Sequence, residues 1–171
     1  MNYQELIKNR YSVRMYTSEA IADDELAPIL EAVRLAPSAR NQQPVKVRVV
    51  RSMEVLAKID TITKYRYKAP CVLVFSYDKT GDFKNPYESG CRSGEQDVSI
   101  AATQAMLAAT DAGLGSCWVG DFAPSATREA LGLPENEEVV MMLLVGHPSE
   151  KSHPIAWHSQ SKPIEDMVSY L

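Results

Sequence analysis

The stretch Asp97–Ala112 constrains this chain most: Val98, Ile100, Ala101, Ala102, Ala105, Met106, Leu107, Ala108 and Ala109 leave it apolar on most sides. A helix of that composition has little polar face to offer water, so the pattern predicts a helix in the core. Gly113 supplies its stop, with Gly115 close behind. Two other segments demand the same interior. Cys71–Tyr77 (CVLVFSY) follows Pro70, and Val139–Val145 (VVMMLLV) ends at Gly146. Both are continuous apolar runs of strand length, the mark of strands covered on both faces.

The remaining segments arrange themselves around that centre. Tyr3–Arg10 reads as a short helix with Tyr3, Leu6 and Ile7 as its apolar face, and a loop follows to Ala22. From Asp23 the positions Leu26, Ile29, Leu30 and Val33 keep helical spacing, with Asp23, Asp24 and Glu25 in the first turn, where the helix dipole favours acids. Pro28 is expected to bend this helix slightly and Pro37 to end it. After a polar loop, Ser38–Pro44, the alternation of Val45, Val47 and Val49 with Lys46 and Arg48 predicts a strand. A weaker helix is expected over Met53–Thr63, and a long loop or partly helical insert over Thr80–Gly94. Ser116–Val119 reads as a short strand, Ala123–Leu131 as a helix, and His147–Leu171 as a tail holding a short helix at most. Strands separated by helices around one buried helix predict a layered α+β domain. No repeat or linker divides it, so residues 1–171 form a single domain.

Composition excludes several classes of function. With 171 residues and 45% apolar content the chain can build a core without disulfide staples. Its net charge of −4 argues against a general nucleic-acid binder, which carries a basic face. Cys71, Cys91 and Cys117 are odd in number and contain no CxxC pair, which points to reduced thiols. The opening MNYQELIKNR has no apolar run, so no signal peptide is expected there, and no eighteen-residue apolar run suggests a membrane span. The expectation is a soluble, cytoplasmic protein without nucleic-acid or membrane partners.

Three segments could carry chemistry. In Arg10-Tyr11-Ser12-Val13-Arg14, alternate residues of an extended strand face one way, so two guanidinium groups and a hydroxyl converge on one anion. Arginine's planar fork suits phosphate oxygens in pairs. Ala36-Pro37-Ser38-Ala39-Arg40-Asn41-Gln42-Gln43-Pro44 sets short polar side chains between a helix and a strand, where rigid scaffolds present binding groups. In Gly113-Leu114-Gly115-Ser116-Cys117-Trp118-Val119-Gly120-Asp121 the glycines allow backbone to approach a flat ligand. That stretch follows a helix rather than a strand, so it is not a dinucleotide-binding GxGxxG. Each segment alone has a plain structural explanation. A helix stop accounts for Gly113 but not for Gly120.

Taken in order and spacing, the three segments resemble the nitroreductase family of flavoproteins. The family's Arg-x-Ser-x-Arg matches Arg10, Ser12 and Arg14; its Ala-Pro-Ser-x-x-Asn-x-Gln-Pro stretch matches Ala36–Pro44; its glycine-rich turn matches Gly113–Gly120; and Val145-Gly146-His147-Pro148 resembles the strand end that follows. The resemblance implies a layered α+β fold, a central mixed or antiparallel sheet flanked by helices, and a homodimer. It implies FMN as bound cofactor and NAD(P)H as hydride donor, with nitroaromatics, quinones or similar small acceptors reduced by a ping-pong mechanism. Arg10 and Ser12 would hold the phosphate, and Arg14 would lie by the ring edge where charge collects on reduction. Trp118, Val119 and Gly120 would line the ring, with the Gly120 backbone near N5. Pro37, Ser38, Ala39 and Asn41 would reach the flavin of the partner subunit. No side chain need act as a catalytic nucleophile or base, because the cofactor carries the reactive atom.

The chain departs from the family at one place. Where a basic cluster usually precedes the last helix, this sequence has His158-Ser159-Gln160-Ser161-Lys162-Pro163, leaving Lys162 as the candidate phosphate cation. His147, His153 and His158 do not share a helical face and no acid or cysteine joins them at useful spacing, so no metal site is expected. Cys71 and Cys117 read as packing residues, and Ser12 has no neighbouring histidine for a hydrolase. Two other readings stay open: a flavin-binding regulator without turnover, and a different flavin reaction on the same scaffold, such as dehalogenation or enal reduction.

Overall fold

A computed structural model describes residues 1–171 throughout. In chain order the elements are α1 (Tyr3–Asn9), α2 (Asp23–Arg34), β1 (Val45–Val50), α3 (Met53–Ile62), β2 (Cys71–Asp78), α4 (Gly94–Asp111), β3 (Gly115–Val119), α5 (Pro124–Ala130) and β4 (Glu137–Gly146). The strands form one sheet in the order β1-β2-β4-β3, and every pairing is antiparallel. The two apolar runs read from sequence, β2 and β4, are its central strands.

Period-two alternation explains how they satisfy two cores at once. Cys71, Leu73, Phe75 and Tyr77 of β2, with Met141, Leu143 and Val145 of β4, face α2 and α4. Val72 and Val74, with Met142 and Leu144, face the other way onto Leu56 and Ile59 of α3. The register slips between Phe75 and Ser76, so Val140 stands unpaired and Val139 turns to the α3 side. Beyond the slip, the buried Glu137 carboxylate accepts from Arg48 Nη2 at 2.6 Å and from Ser76 Oγ at 2.9 Å, tying three neighbouring strands together. A buried charge is tolerable here because it is both paired and hydrogen-bonded.

Several boundaries differ from the sequence reading. Helix α2 runs through Pro28 and stops at Arg34, ahead of Pro37. Helix α4 begins at Gly94, a turn earlier than its apolar pattern. It is also not buried all round. Val98, Ala101, Ala102, Ala105 and Ala109 pack inward, while Ile100 is 40% exposed and Thr103 faces solvent. The expected apolar face of α1 is likewise uncovered in the single chain, with no buried residue. The tail from His147 contains only short 3-10 turns, at Ala156–Ser159 and Ile164–Asp166. No helix is long and apolar enough to cross a membrane.

Two thiols lie within these cores. Burial pushes Cys117 up and takes Cys71, which has no exposed surface, from 9.0 to about 11. The folded value lies above the unfolded one, so the stability from the neutral thiol is complete below pH 9.0 and disappears as pH rises towards about 11. Two units correspond to about 2–3 kcal/mol. Urea denaturation should therefore show a stability loss of that order between about pH 8 and about pH 11, and Cys71→Ala should flatten part of the slope. An unchanged slope in that variant would assign the alkaline loss to other groups.

Candidate functional site

The Arg-x-Ser-x-Arg segment is extended because it is fastened to the open edge of β3. Helix α1 is started by Asn2, whose side chain accepts from Glu5 N–H while Glu5 reaches back to Asn2 N–H, and it ends at Arg10, where the backbone turns extended. Val13 N–H then donates to Ser116 O at 2.9 Å, and Ser12 bridges Ser116 in parallel. The Val13 side chain is 2% exposed and rests on Gly115, where an added Cβ would lie 2.6 Å from Val13 Cγ2. Gly115 is thus required by close approach, not by backbone angle.

With Val13 turned inward, its alternate neighbours line a common space. Arg10, Ser12 and Arg14, together with Ile155, Trp157 and His158, enclose a cavity of about 220 Å³. Arg14 Nη1 donates to Ser12 O at 3.0 Å. Neither Arg10 nor Arg14 pairs with a carboxylate, whereas Arg34, Arg48, Arg51, Arg66 and Arg92 all do. Arg14 also lines a second cavity of about 210 Å³ with Tyr65, Tyr67, Cys117, Trp118, Val119, Gly120 and Asp121. Its charge, with that of Arg10 and a hydrogen bond from Ser12, partly offsets the burial that raises Cys117. One guanidinium therefore joins an anion-sized space to a second space walled by aromatic rings and backbone. At Gly120 an added Cβ would meet only Trp118 Nε1, at 3.9 Å, so nothing in the chain itself demands glycine there.

The third segment stands apart. Pro37 and Ser38 line a different cavity, of about 200 Å³, with Gln43 and Asp97. Ala39–Asn41 form a 3-10 turn, with Arg40, Asn41 and Gln43 all at positive φ near 50° (54°, 55° and 52°). Such backbone costs free energy in residues with side chains and persists only when held. Two side chains hold it. The Ser38 hydroxyl accepts from Gln43 N–H at 2.9 Å, and buried Asp97 of α4 accepts from Ala39 N–H at 3.0 Å and from Ser93 Oγ at 2.7 Å. Ser93 Oγ accepts in turn from Phe83 N–H at 3.1 Å, and Arg40 lies over the Phe83 ring. One carboxylate thus couples this loop to the loop before α4.

The structure brings Arg10, Ser12, Arg14, Trp118, Val119 and Gly120 around two cavities that share Arg14, and does not bring Pro37, Ser38, Ala39 and Asn41 to them within one chain. Lys162 is exposed and lies outside the lining of the anion-sized cavity. Trp157 and His158, which sequence reading did not select, line it instead. The tail is brought there by Tyr11 OH donating to Ser152 Oγ at 3.1 Å and by His158 Nε2 beside Lys8 O at 3.1 Å. A carbonyl only accepts, so Nε2 carries the proton. These contacts join residues far apart in sequence, and no local pattern announces them. His147 and His153 take other partners, Glu25 at 3.5 Å and Lys151 O at 2.9 Å.

Comparison with known proteins gives the same outline. The family model described as the nitroreductase family matches residues 7–68 and 66–147. An Archaeoglobus fulgidus protein whose name couples NADH dehydrogenase with NAD(P)H nitroreductase is 34% identical over 154 residues, covering 85% of each chain. A Bacillus subtilis FMN reductase [NAD(P)H] is 34% identical over 158 residues, which are 82% of this chain and 64% of the relative. The crystal structure of a nitroreductase family protein from Clostridium difficile 630 superposes with a TM-score of 0.93 at 33% identity, over 99% of this chain and 98% of the other. The match runs through the arginine segment, the polar loop and the glycine-rich turn alike, and the chain belongs to the nitroreductase family.

Proposed function

We propose that this protein is an FMN-dependent oxidoreductase that passes hydride from NAD(P)H to nitroaromatics, quinones or similar small acceptors, working as a homodimer by a ping-pong mechanism. The observation that carries the reading is the unpaired arginine couple. Arg10 and Arg14 line one cavity with the Ser12 hydroxyl, and Arg14 continues into the cavity bounded by Gly120. Two uncompensated guanidinium groups beside a hydroxyl fit a phosphate monoester, and a cavity with tyrosine walls fits a flat ring.

When bound, FMN supplies an N5 that can take up and release hydride. The chain's own groups do the rest. Arg10 and Ser12 anchor the phosphate, with His158 beside them in the lining. Arg14 offers fixed positive charge to the pyrimidine edge of the ring, where it acts without reorganisation. Gly120 leaves its backbone N–H approachable, and Tyr65, Tyr67 and Trp118 exclude water from the ring faces. No carboxylate, thiol or histidine is needed as a proton relay. Pro37, Ser38, Ala39 and Asn41 serve the flavin of the partner subunit, which accounts for a braced polar loop that lines neither cavity shared by Arg14 of its own chain. The uncovered side of α4 and the exposed Trp157, Ile164, Met167 and Tyr170 supply apolar surface for pairing.

Purified protein incubated with FMN should turn yellow, sediment as a dimer, and oxidise NADH or NADPH with a quinone, giving parallel lines in double-reciprocal plots. A colourless protein under excess FMN would defeat the proposal, and bound flavin that neither donor reduces would favour a regulator. Arg14→Ala should weaken FMN about 10–100-fold, the value of one charged hydrogen bond of about 1.5–3 kcal/mol. His158→Gln should weaken FMN severalfold and leave riboflavin, which lacks the phosphate, unaffected in titration calorimetry; equal losses would remove His158 from the phosphate. Asp97→Ala releases Ala39 N–H and Ser93 Oγ, so it should lower stability by about 1–3 kcal/mol in thermal denaturation and weaken FMN as well. Native FMN affinity in that variant would separate the loop from the flavin.

A further inference from the structure

The cavity of about 210 Å³ assigned above to the flavin ring adjoins a larger open groove of about 640 Å³, and Tyr67 lines both. Met53, Leu56 and Pro70 give the groove its apolar lining, Lys64, Arg66 and Lys68 its cations, and Ser18 and Asp60 complete it. Those cations are unequally committed. Arg66 is held by Asp60 through two bonds of 2.6 Å and donates to Ala69 O at 2.7 Å. Glu54 of α3 pairs with Lys58 at 3.6 Å. Lys64 and Lys68 are exposed and have no carboxylate partner; the Lys64 ammonium lies 5.1 Å from the Tyr65 ring centre.

The turn that carries these lysines is strained. Tyr67 and Lys68 both take left-handed backbone angles, φ 51° and 58°, without being glycine. Strain of this kind persists where surrounding contacts over-determine it, and it gathers at binding sites. Here the Arg66 fork, locked by Asp60 and closed onto Ala69 O, fixes the turn.

An apolar lining that also carries two free ammonium groups suits an adenine nucleotide, with the base on the apolar side chains and phosphates at the ammonium groups. We infer that this groove receives the adenosine phosphate half of the NAD(P)H donor, with Lys64 and Lys68 on its diphosphate. The inference rests on the proposed function, because it takes the shared wall at Tyr67 as the passage from flavin to donor. It explains how a chain with no separate nucleotide domain holds a dinucleotide. The groove binds only during the reductive half-reaction, so it adds donor affinity without entering the chemistry.

Anaerobic stopped-flow mixing of the FMN-loaded enzyme with NADH or NADPH separates donor Kd from the limiting rate of flavin reduction. In the Lys64→Ala/Lys68→Ala variant the donor Kd should rise about tenfold, the loss expected for two exposed charged contacts. The limiting rate, the FMN Kd and reoxidation by a neutral quinone should stay as in the native enzyme. Adenosine diphosphate ribose, which cannot reduce flavin, should lose inhibition by the same factor, and the Lys64→Arg/Lys68→Arg variant should retain it. A larger loss for NADPH than for NADH supports the groove and moves one lysine to the 2′-phosphate. An unchanged donor Kd in a fully flavinated variant overturns the inference and leaves the proposed function standing. A weakened FMN Kd overturns it too, by giving the lysines to the cofactor. A native protein that binds no flavin defeats the proposed function itself.

Discussion

The site depends on one contact, the seating of Val13 against Gly115. The sheet order leaves β3 as an edge strand, and an edge strand offers unpaired backbone to any extended segment nearby. Residues 10–14 take that edge through Val13 N–H and Ser116 O, and the Val13 side chain closes on a position that has no Cβ. Once Val13 points inward, strand geometry turns Ser12 and Arg14 away from the core. The arginines need no partner of their own to be aligned, because the backbone has aligned them. A side chain at residue 115 would act on the site by lifting the strand, leaving each guanidinium chemically intact and misplaced.

A second constraint is that much of this fold is unfinished in one chain. Helix α4 buries its alanine-rich side on the sheet and leaves Ile100 in solvent. The tail carries Trp157, Ile164, Met167 and Tyr170 outward, and the Ser38–Gln43 turn holds three residues at positive φ and lies away from the cavities of Arg10 and Arg14. Each has a separate local explanation, but a two-chain site accounts for them together. In the proposed dimer the apolar surfaces would become interface, and the braced loop the wall of a neighbour's cavity. Asp97 joins the two ideas, since it lies on the packed side of α4 and grips the loop from there.

The sequence disclosed what repeats locally. Uninterrupted runs gave β2 and β4, helical spacing gave α2, and Gly113 and Gly115 marked the passage from α4 to β3. It was less informative where a polar turn opens an apolar element: Gly94, Glu95 and Gln96 begin α4, yet only the pattern from Asp97 identifies it. The apolarity of that helix was legible and its exposed side was not, because composition does not say which apolar residues the sheet covers. The register slip at Phe75 leaves no local mark, and Arg40 and Tyr67 have no preference for the left-handed angles they adopt, so tertiary contacts impose them. Within the site, the three motifs were visible as motifs. His158 was not, since it joins the cavity of Arg10 only after the tail folds back on α1, while Lys162, closer to the familiar pattern, stays outside the cavity.

Charge placement separates scaffold from site. The chain is net negative, and five arginines are tied to carboxylates, among them Arg48 with buried Glu137 and Arg66 with Asp60. Those pairs fix strands and turns. Arg10, Arg14, Lys64 and Lys68 have no acid partner, as is also true of Arg40, Arg128 and several surface lysines, but these four line the connected spaces around Tyr67 and Arg14. Leaving cations unpaired stores attraction for an anion that the chain does not itself contain. The chain's net negative charge disfavours polyanions elsewhere, so these cations confine the attraction to the cavities. A flavin mononucleotide and a dinucleotide donor are both polyanions that must meet at one point, and under the proposed reading cations along adjoining cavities would guide both there.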